Sequence, residues 1–335
     1  MISVIICHHK GRLIDKAIIS LLDSAEVEFE IIVASSDAEG RINLLRTKFP
    51  QVKFIDVPGG PAHKRNIASR FAKGEYLAFF DDDIEANRYA LFRLLEQLKI
   101  SPTGMVYGKL LNMEHRKRFD EAGSFLTQTG FLWARAESGV TDSGQFETVE
   151  KILAGKSASC MIHRKVFWEV GGFDASYEIL AEETDLSWRV WLAGYTVLYV
   201  PRSITFHAFN TRFKPKDMYT PARVYFNGCR NYLSMLYTNL GKKRWIFPLA
   251  TQLIVWTLAS IGMFITGKRE ASFHIMKGII HFFRNIVTIW HKRVRVQRTL
   301  RKISDRDLLP IIMRTPPPSY YIKRFFHYIK TGRHG

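Results

Sequence analysis

The chain has 335 residues, 47% of them apolar, enough for a packed core in roughly two domains and too apolar for a disordered chain. Its net charge of +18 is unevenly spread: residues 1–210 hold 25 Lys and Arg against 27 Asp and Glu, and residues 211–335 hold 24 against 4. Three scattered cysteines, Cys7, Cys160 and Cys229, exclude a disulfide framework and lack metal-ligand spacing, as expected of a reducing compartment.

In chain order, Ile2–Cys7 reads as a buried strand, and Met1 runs into it with no apolar leader long enough for a signal peptide. Ile14–Ser24 has helical periodicity, Glu30–Ala34 is a second strand, and Ser35–Gly40 has loop composition. Lys53–Val57 is a third strand, broken by Pro58-Gly59-Gly60-Pro61. Lys64–Lys73 is a helix stopped by Gly74. A mostly apolar strand, Glu75–Phe80, then feeds Asp81-Asp82-Asp83. Ala90–Lys99 is helical, segments 151–164, 168–173 and 182–193 follow, and Thr196–Val200 closes the core as a strand. This rhythm predicts an α/β fold with a mostly parallel sheet and helices on both faces.

Three adjacent carboxylates repel one another unless a cation is shared between them, and hard ions such as Mg²⁺ or Mn²⁺ accept carboxylate oxygens while keeping sites for phosphate. The triplet falls past the carboxyl end of a strand, where open α/β sheets bind ligands. A second acidic cluster lies in Glu182–Arg189. On a helix, Glu182, Asp185 and Arg189 share one face and read as a surface ion-pair ladder. Glu183 falls instead with Leu186, Val190 and Ala193 on the core stripe, where desolvation raises a carboxyl pKa toward that of a general base.

Tyr219–Leu240 is expected to be helical and to lead to Trp245–Ile265, which is uncharged and long enough to cross ~30 Å of hydrocarbon. Lys242-Lys243-Arg244 and Lys268-Arg269 flank it, and Phe273–Trp290 has the spacing of an amphipathic surface helix. An anionic membrane surface, and not nucleic acid, is therefore the expected partner of the basic end. A monotopic hairpin on the cytoplasmic face is favoured, with a single span through 245–265 as the alternative.

The ordered motifs SVIIC, EIIVASSDAEG, KRNIASRFAKGEYLAFFDDD, SASCMIHRKVFWEVGGFD and AEETDLSWRVWLAGYTVLYVP, with His207 after them, resemble the GT-A-fold, inverting nucleotide-sugar glycosyltransferases of family 2. The resemblance covers about residues 1–240. The C-terminal end is similar to membrane-bound bacterial members that build surface glycans, some of them rhamnosyltransferases. It implies a catalytic domain over 1–210, a helical connector over 211–241 and a membrane-association region over 242–335. The resemblance also implies a nucleotide-sugar donor, a lipid-linked or polysaccharide acceptor and a divalent cation, Mg²⁺ or Mn²⁺.

By the same resemblance Asp83, with Asp81 and His207, holds the metal, and Asp81 and Asp82 face the donor. Lys64 and Arg65 meet its phosphates, and Cys7 and His8 close the first strand beside it. Glu183 is the base that deprotonates the acceptor hydroxyl. Asp174, in the turn Gly171-Gly172-Phe173-Asp174, lies on the acceptor side with Glu182, Asp185 and Trp188. Ser35 and Ser36 stand where the family usually has an acidic residue for the nucleobase, leaving Asp37 as the nearest carboxylate. Glu183 stands where Asp is commoner. The alternatives are a processive polysaccharide synthase, although the Gln-x-x-Arg-Trp motif is missing, and a non-catalytic basic protein binding membrane or nucleic acid.

Overall fold

The computed structural model describes residues 1–9, 11–36, 41–208 and 220–322. The first half alternates as expected: β1 (Ile2–His8), α1 (Ile14–Leu22), β2 (Phe29–Ser35), α2 (Arg41–Lys48), β3 (Lys53–Asp56), α3 (Pro61–Phe71) and β4 (Tyr76–Asp81). Next come β5 (Ile84–Ala86), α4 (Ala90–Leu98), β6 (Thr103–Asn112), β7 (Phe119–Glu121), β8 (Ser124–Thr127), β9 (Leu132–Ala134) and β10 (Glu150–Lys151). The sheet-bearing part closes with β11 (Ser159–His163), α5 (Arg164–Glu169), α6 (Glu182–Leu192) and β12 (Thr196–His207). The C-terminal part holds α7 (Pro221–Asn239), α8 (Ile246–Ile265), α9 (Arg269–Arg284), α10 (Ile286–Arg295), a π-helical turn Val296–Leu300, α11 (Asp305–Ile312) and β13 (Met313–Arg314).

Among the described residues the main sheet runs β10-β12-β6-β11-β4-β1-β2-β3, with β5 paired to β12 and β7 to β6. The β3-β2-β1-β4 half is parallel, as is β6–β12, while β11 runs antiparallel between β4 and β6. One apolar layer, including Ile14, Ile18 and Leu91, covers one sheet face, and a larger one, including Phe167, Leu186 and Trp188, covers the other.

The long strand β6 carries no sequence signal of its own, because Gly104 and Gly108 interrupt the apolar run. Both are there for close approach: a Cβ at Gly104 would lie 2.6 Å from Tyr195 Cβ, and one at Gly108 would lie 2.7 Å from Ser159 Oγ. Helix α2 is equally quiet, since among its described side chains only Ile42 and Leu45 turn inward.

Helices α7, α8 and α9 form a separate apolar layer around Cys229, Leu233, Trp256, Met263 and Ile275. Helix α8 turns back into α9 through Gly267, whose φ of +80° is natural to glycine. The other side of the pair is apolar and exposed: Phe247, Ile254, Leu258, Ile261 and Phe264 on α8, with Phe273, Ile280 and Phe283 on α9. Residues 296–314 do not stay with these helices. Val296, Leu300, Leu308 and Ile312 join the larger core layer, and β13 pairs in parallel with β8. The boundary expected at 241/242 therefore falls between helices, while the last described segment returns to the first domain.

Candidate active site and metal centre

The candidate metal ligands are assembled by strand register. Asp81 ends β4 beside Cys7 of β1. The chain turns at once into β5, which pairs antiparallel with the end of β12 so that Ile84 faces His207. That pairing carries Asp83 to His207. The ligand atoms of Asp81, Asp83 and His207 all lie within 4.8 Å of one another, with His207 Nε2 3.2 Å from Asp83 Oδ1 and 3.8 Å from Asp81 Oδ2. Two carboxylates and one imidazole in this spacing suit a divalent cation.

Behind the ring, His207 Nδ1 lies 2.7 Å from Asp120 Oδ2, and Lys156 Nζ donates to Asp120 Oδ1 at 2.8 Å. In a neutral ring whose Nδ1 proton goes to that carboxylate, the Nε2 lone pair would face the position between Asp81 and Asp83, the arrangement a carboxylate-supported histidine ligand needs. Burial works against ionisation of Asp120, but Lys156 and His207 outweigh it and hold the carboxyl below its usual range. Burial likewise opposes charge on His207, yet Asp83 and Asp120 raise its pKa to about 9 when no metal is bound. Asp120 sits in β7, a segment for which the sequence offered no candidate residue. Phe119, Asp120 and Glu121 are all buried.

Asp82 turns away from this cluster. Its Oδ2 takes the His8 ring at 2.7 Å and the His9 amide at 3.3 Å. A Cβ on Gly11 would lie 2.4 Å from the same oxygen, so a side chain there would push the Asp82 carboxylate out of its present position. Burial leads the upward shift of the Asp82 pKa. Cys7 contacts the Pro61 carbonyl through Sγ at 3.6 Å, and burial pushes its thiol up to about 11, so it is an unreactive packing group. Asp37 lies outside the described residues.

Lys64 and Arg65 are not at a solvated helix start. Gly60 and Pro61 begin α3 earlier than composition suggests, with proline in the first turn, and both basic side chains point inward. Lys64 Nζ donates to the His8 carbonyl at 2.7 Å and to Ser36 Oγ at 2.9 Å, tying β1 to the loop after β2. Arg65, 3% exposed, donates to Asp81 Oδ1 at 2.9 Å and to Glu182 Oε1 at 3.4 Å. One guanidinium thus joins the metal-side carboxylate to the first turn of α6. Asn66 follows with both amide atoms on the Phe173 backbone, at 2.7 and 2.9 Å. Three consecutive α3 residues therefore fix three walls of one site, and Asn66 had no signal in the sequence.

Glu183 is the one residue of α6 that is not fully buried. Desolvation first, and the Glu182 carboxyl beside it second, push its pKa well above the ordinary carboxyl range. The other residues expected on this helix are corrected. Asp185 and Arg189 do not form a surface ladder: they are buried ion-pair partners at 2.8 Å, and Asp185 also accepts from Asn239 Nδ2 at 2.8 Å. Trp188 is 0% exposed and belongs to the core. Neither Asp185 nor Trp188 presents a side chain to an acceptor, because α7 and the returning Val296 and Leu300 cover what would otherwise be the outer face of α6. Asp174 is paired to Lys292 of α10 at 2.6 Å, which lowers its pKa against the opposing effect of burial.

The family model for glycosyl transferase family 2 matches residues 3–171, and the model for glycosyl transferase family group 2 matches residues 118–290. Polypeptide N-acetylgalactosaminyltransferase 3 of Drosophila melanogaster is 26% identical over 200 residues, covering 54% of this chain and 30% of its own length. The O-antigen biosynthesis protein RfbC of Myxococcus xanthus is 29% identical over 148 residues, covering 42% of this chain and 12% of its own. The chain thus spans about a third or less of these relatives. The crystal structure of GalNAc-T7 with UDP, GalNAc and Mn²⁺ shares the fold, with a TM-score of 0.58 at 15% identity over 86% of this chain and 57% of that one.

Proposed function

The chain belongs to glycosyl transferase family 2, and from that membership we propose that it transfers a sugar from a nucleotide-sugar donor to a glycan hydroxyl with inversion, using Glu183 as base. The observation that supports the reading is Arg65, which touches Asp81 and Glu182 at once and so links the cation-side carboxylate to the first turn of the helix that carries Glu183.

Asp81, Asp83 and His207 would hold the cation. When bound, it supplies Lewis-acid neutralisation of the donor diphosphate. Glu183, with its raised pKa, accepts the proton of the acceptor hydroxyl. The hydroxyl oxygen bonds to the anomeric carbon as the bond from that carbon to the phosphate oxygen breaks, and the nucleoside diphosphate leaves with the electron pair. Attack from the face opposite the leaving group inverts the configuration. Arg65 pairs with the Glu182 and Asp81 carboxylates and offsets their charge in a buried setting.

The similarity to N-acetylgalactosaminyltransferases makes UDP-N-acetylgalactosamine the first donor to test. The O-antigen relative supports a surface polysaccharide or its lipid-linked precursor as acceptor. A lipid-linked acceptor fits the exposed apolar side of α8 and α9, flanked by Lys242, Lys243, Arg244, Lys268 and Arg269. In this reading the hairpin lies in one leaflet of an anionic membrane, on the cytoplasmic side where nucleotide sugars are made, and does not cross it. The test is a pair of variants: Asp83→Ala should lose Mn²⁺-dependent donor binding and turnover, whereas Glu183→Gln should lose turnover alone. Equal loss of donor binding in both would reject the division of roles.

A further inference from the structure

We infer that Asn231, with Arg230 beside it, is a positioning residue of the reaction: it holds the turn that aims Glu183. The inference rests on Glu183 as the base. Leu180 and Ala181, directly before α6, have φ of +69° and +66°, a left-handed conformation that L side chains rarely adopt, and here it is taken twice in succession without glycine. Helix α6 also starts with no side-chain cap of its own. The first turn of the base-bearing helix is therefore not fixed by local sequence.

It is fixed from α7. The Asn231 amide, on a residue 1% exposed, donates to the carbonyls of Ile179 and Leu180, both at 2.9 Å. Arg230 donates to the Ser176 carbonyl at 2.7 Å and is itself held by Asn227 Oδ1 at 2.8 Å. One turn of helix thus clamps three carbonyls of the segment leading to Glu183. The opposite side of α7, with Tyr225, Cys229 and Leu233, packs into the α8–α9 layer, so the clamp is anchored to the apolar hairpin. Asn231 touches neither the cation ligands nor Arg65 in any described hydrogen bond, so its loss should act on the rate and spare the donor.

The test uses the full chain. Asn231→Ala should raise amide hydrogen exchange across residues 179–184 by about tenfold or more while β4 and β12 stay protected. Adding Ala181→Gly, which removes the side chain that disfavours the left-handed backbone, should recover part of that protection. Among UDP-N-acetylgalactosamine, GDP-mannose and dTDP-rhamnose, the donor hydrolysed with Mn²⁺ by the unmodified chain gives the kinetic arm. There kcat should fall about 10- to 100-fold with the donor KM within about twofold. Unchanged exchange at 179–184, no relief by Ala181→Gly, or a KM rise at constant kcat would overturn the proposal. If Asn231→Ala does not fold, Asn231→Ser keeps one donor and must show the same exchange pattern in smaller degree; its absence counts against the proposal. Glu183→Gln runs alongside: if it keeps its rate, the base assignment fails, while the exchange result still decides whether Asn231 holds the turn.

Discussion

Replacing Asp120 by Asn should weaken cation binding without touching a metal ligand. The carboxylate lies 2.7 Å from His207 Nδ1, and the two residues are 3% and 2% exposed, so water cannot take its place. Asn preserves the volume and offers a carbonyl oxygen to the ring, but the charge is lost at a contact also served by Lys156. A charge-assisted hydrogen bond contributes about 1.5–3 kcal/mol, and the neutral substitute about half of that. Loss of ring orientation adds to this, and supporting groups of this kind typically alter metal affinity about 10- to 100-fold, which is about 1.4–2.8 kcal/mol. The assay is a titration of the full chain with Mn²⁺, following free Mn²⁺ by electron paramagnetic resonance at fixed pH. Glu96→Gln, which removes a surface partner of Arg93, is the control. An Asp120→Asn affinity within about twofold of the control would refute the reasoning that this carboxylate sets the ring.

Further outcomes follow from the same geometry. Glu183→Gln should lower kcat by about 10²- to 10⁴-fold with Mn²⁺ affinity unchanged, read by steady-state kinetics and the same titration. Because the base must be deprotonated and its pKa is raised, the rate should climb with pH on a limb displaced above the usual carboxyl range; Glu182→Gln, by removing a neighbouring charge, should move that limb to lower pH. Arg65→Met should destabilise the fold by about 3 kcal/mol, the low end for breaking a buried pair since Asp81 is partly solvated, and Arg65→Lys should not restore a contact shared by two carboxylates; denaturant unfolding measures both. Ile261→Glu with Phe264→Glu and Phe283→Glu should cut co-sedimentation with phosphatidylserine vesicles at least about tenfold, since each of these half-exposed side chains buries apolar surface in a bilayer. Unchanged sedimentation would count against the hairpin as the membrane face.

The metal half of the site was legible in the sequence. The run before Asp81 is apolar because β4 is covered on both faces, and cation chemistry accounts for Asp81 and Asp83, whereas Asp82 is taken up by His8 and the His9 amide. His207 entered only through the family resemblance, and its support, Asp120 and Lys156, through nothing, because strand pairings between segments far apart in sequence bring those groups together. Glu183 was singled out by a helical wheel for a reason that needed correction. The wheel assumes one solvent face, but α6 is buried nearly all round, so Asp185, Arg189 and Trp188 lie inside and Glu183 is the residue left open. The same return of residues 296–314 onto the core means that cutting the chain after Asn239 would damage the fold, so point charges on the hairpin are the proper test of attachment.

The central claim is tested most directly by anomalous diffraction at the manganese edge from crystals grown with Mn²⁺ and UDP. The account predicts one strong peak coordinated by Asp81, Asp83 and His207, with the diphosphate on its open side and the Glu183 carboxyl facing the same cleft. A peak elsewhere, or a nucleotide bound with packed protein between it and Glu183, would contradict it.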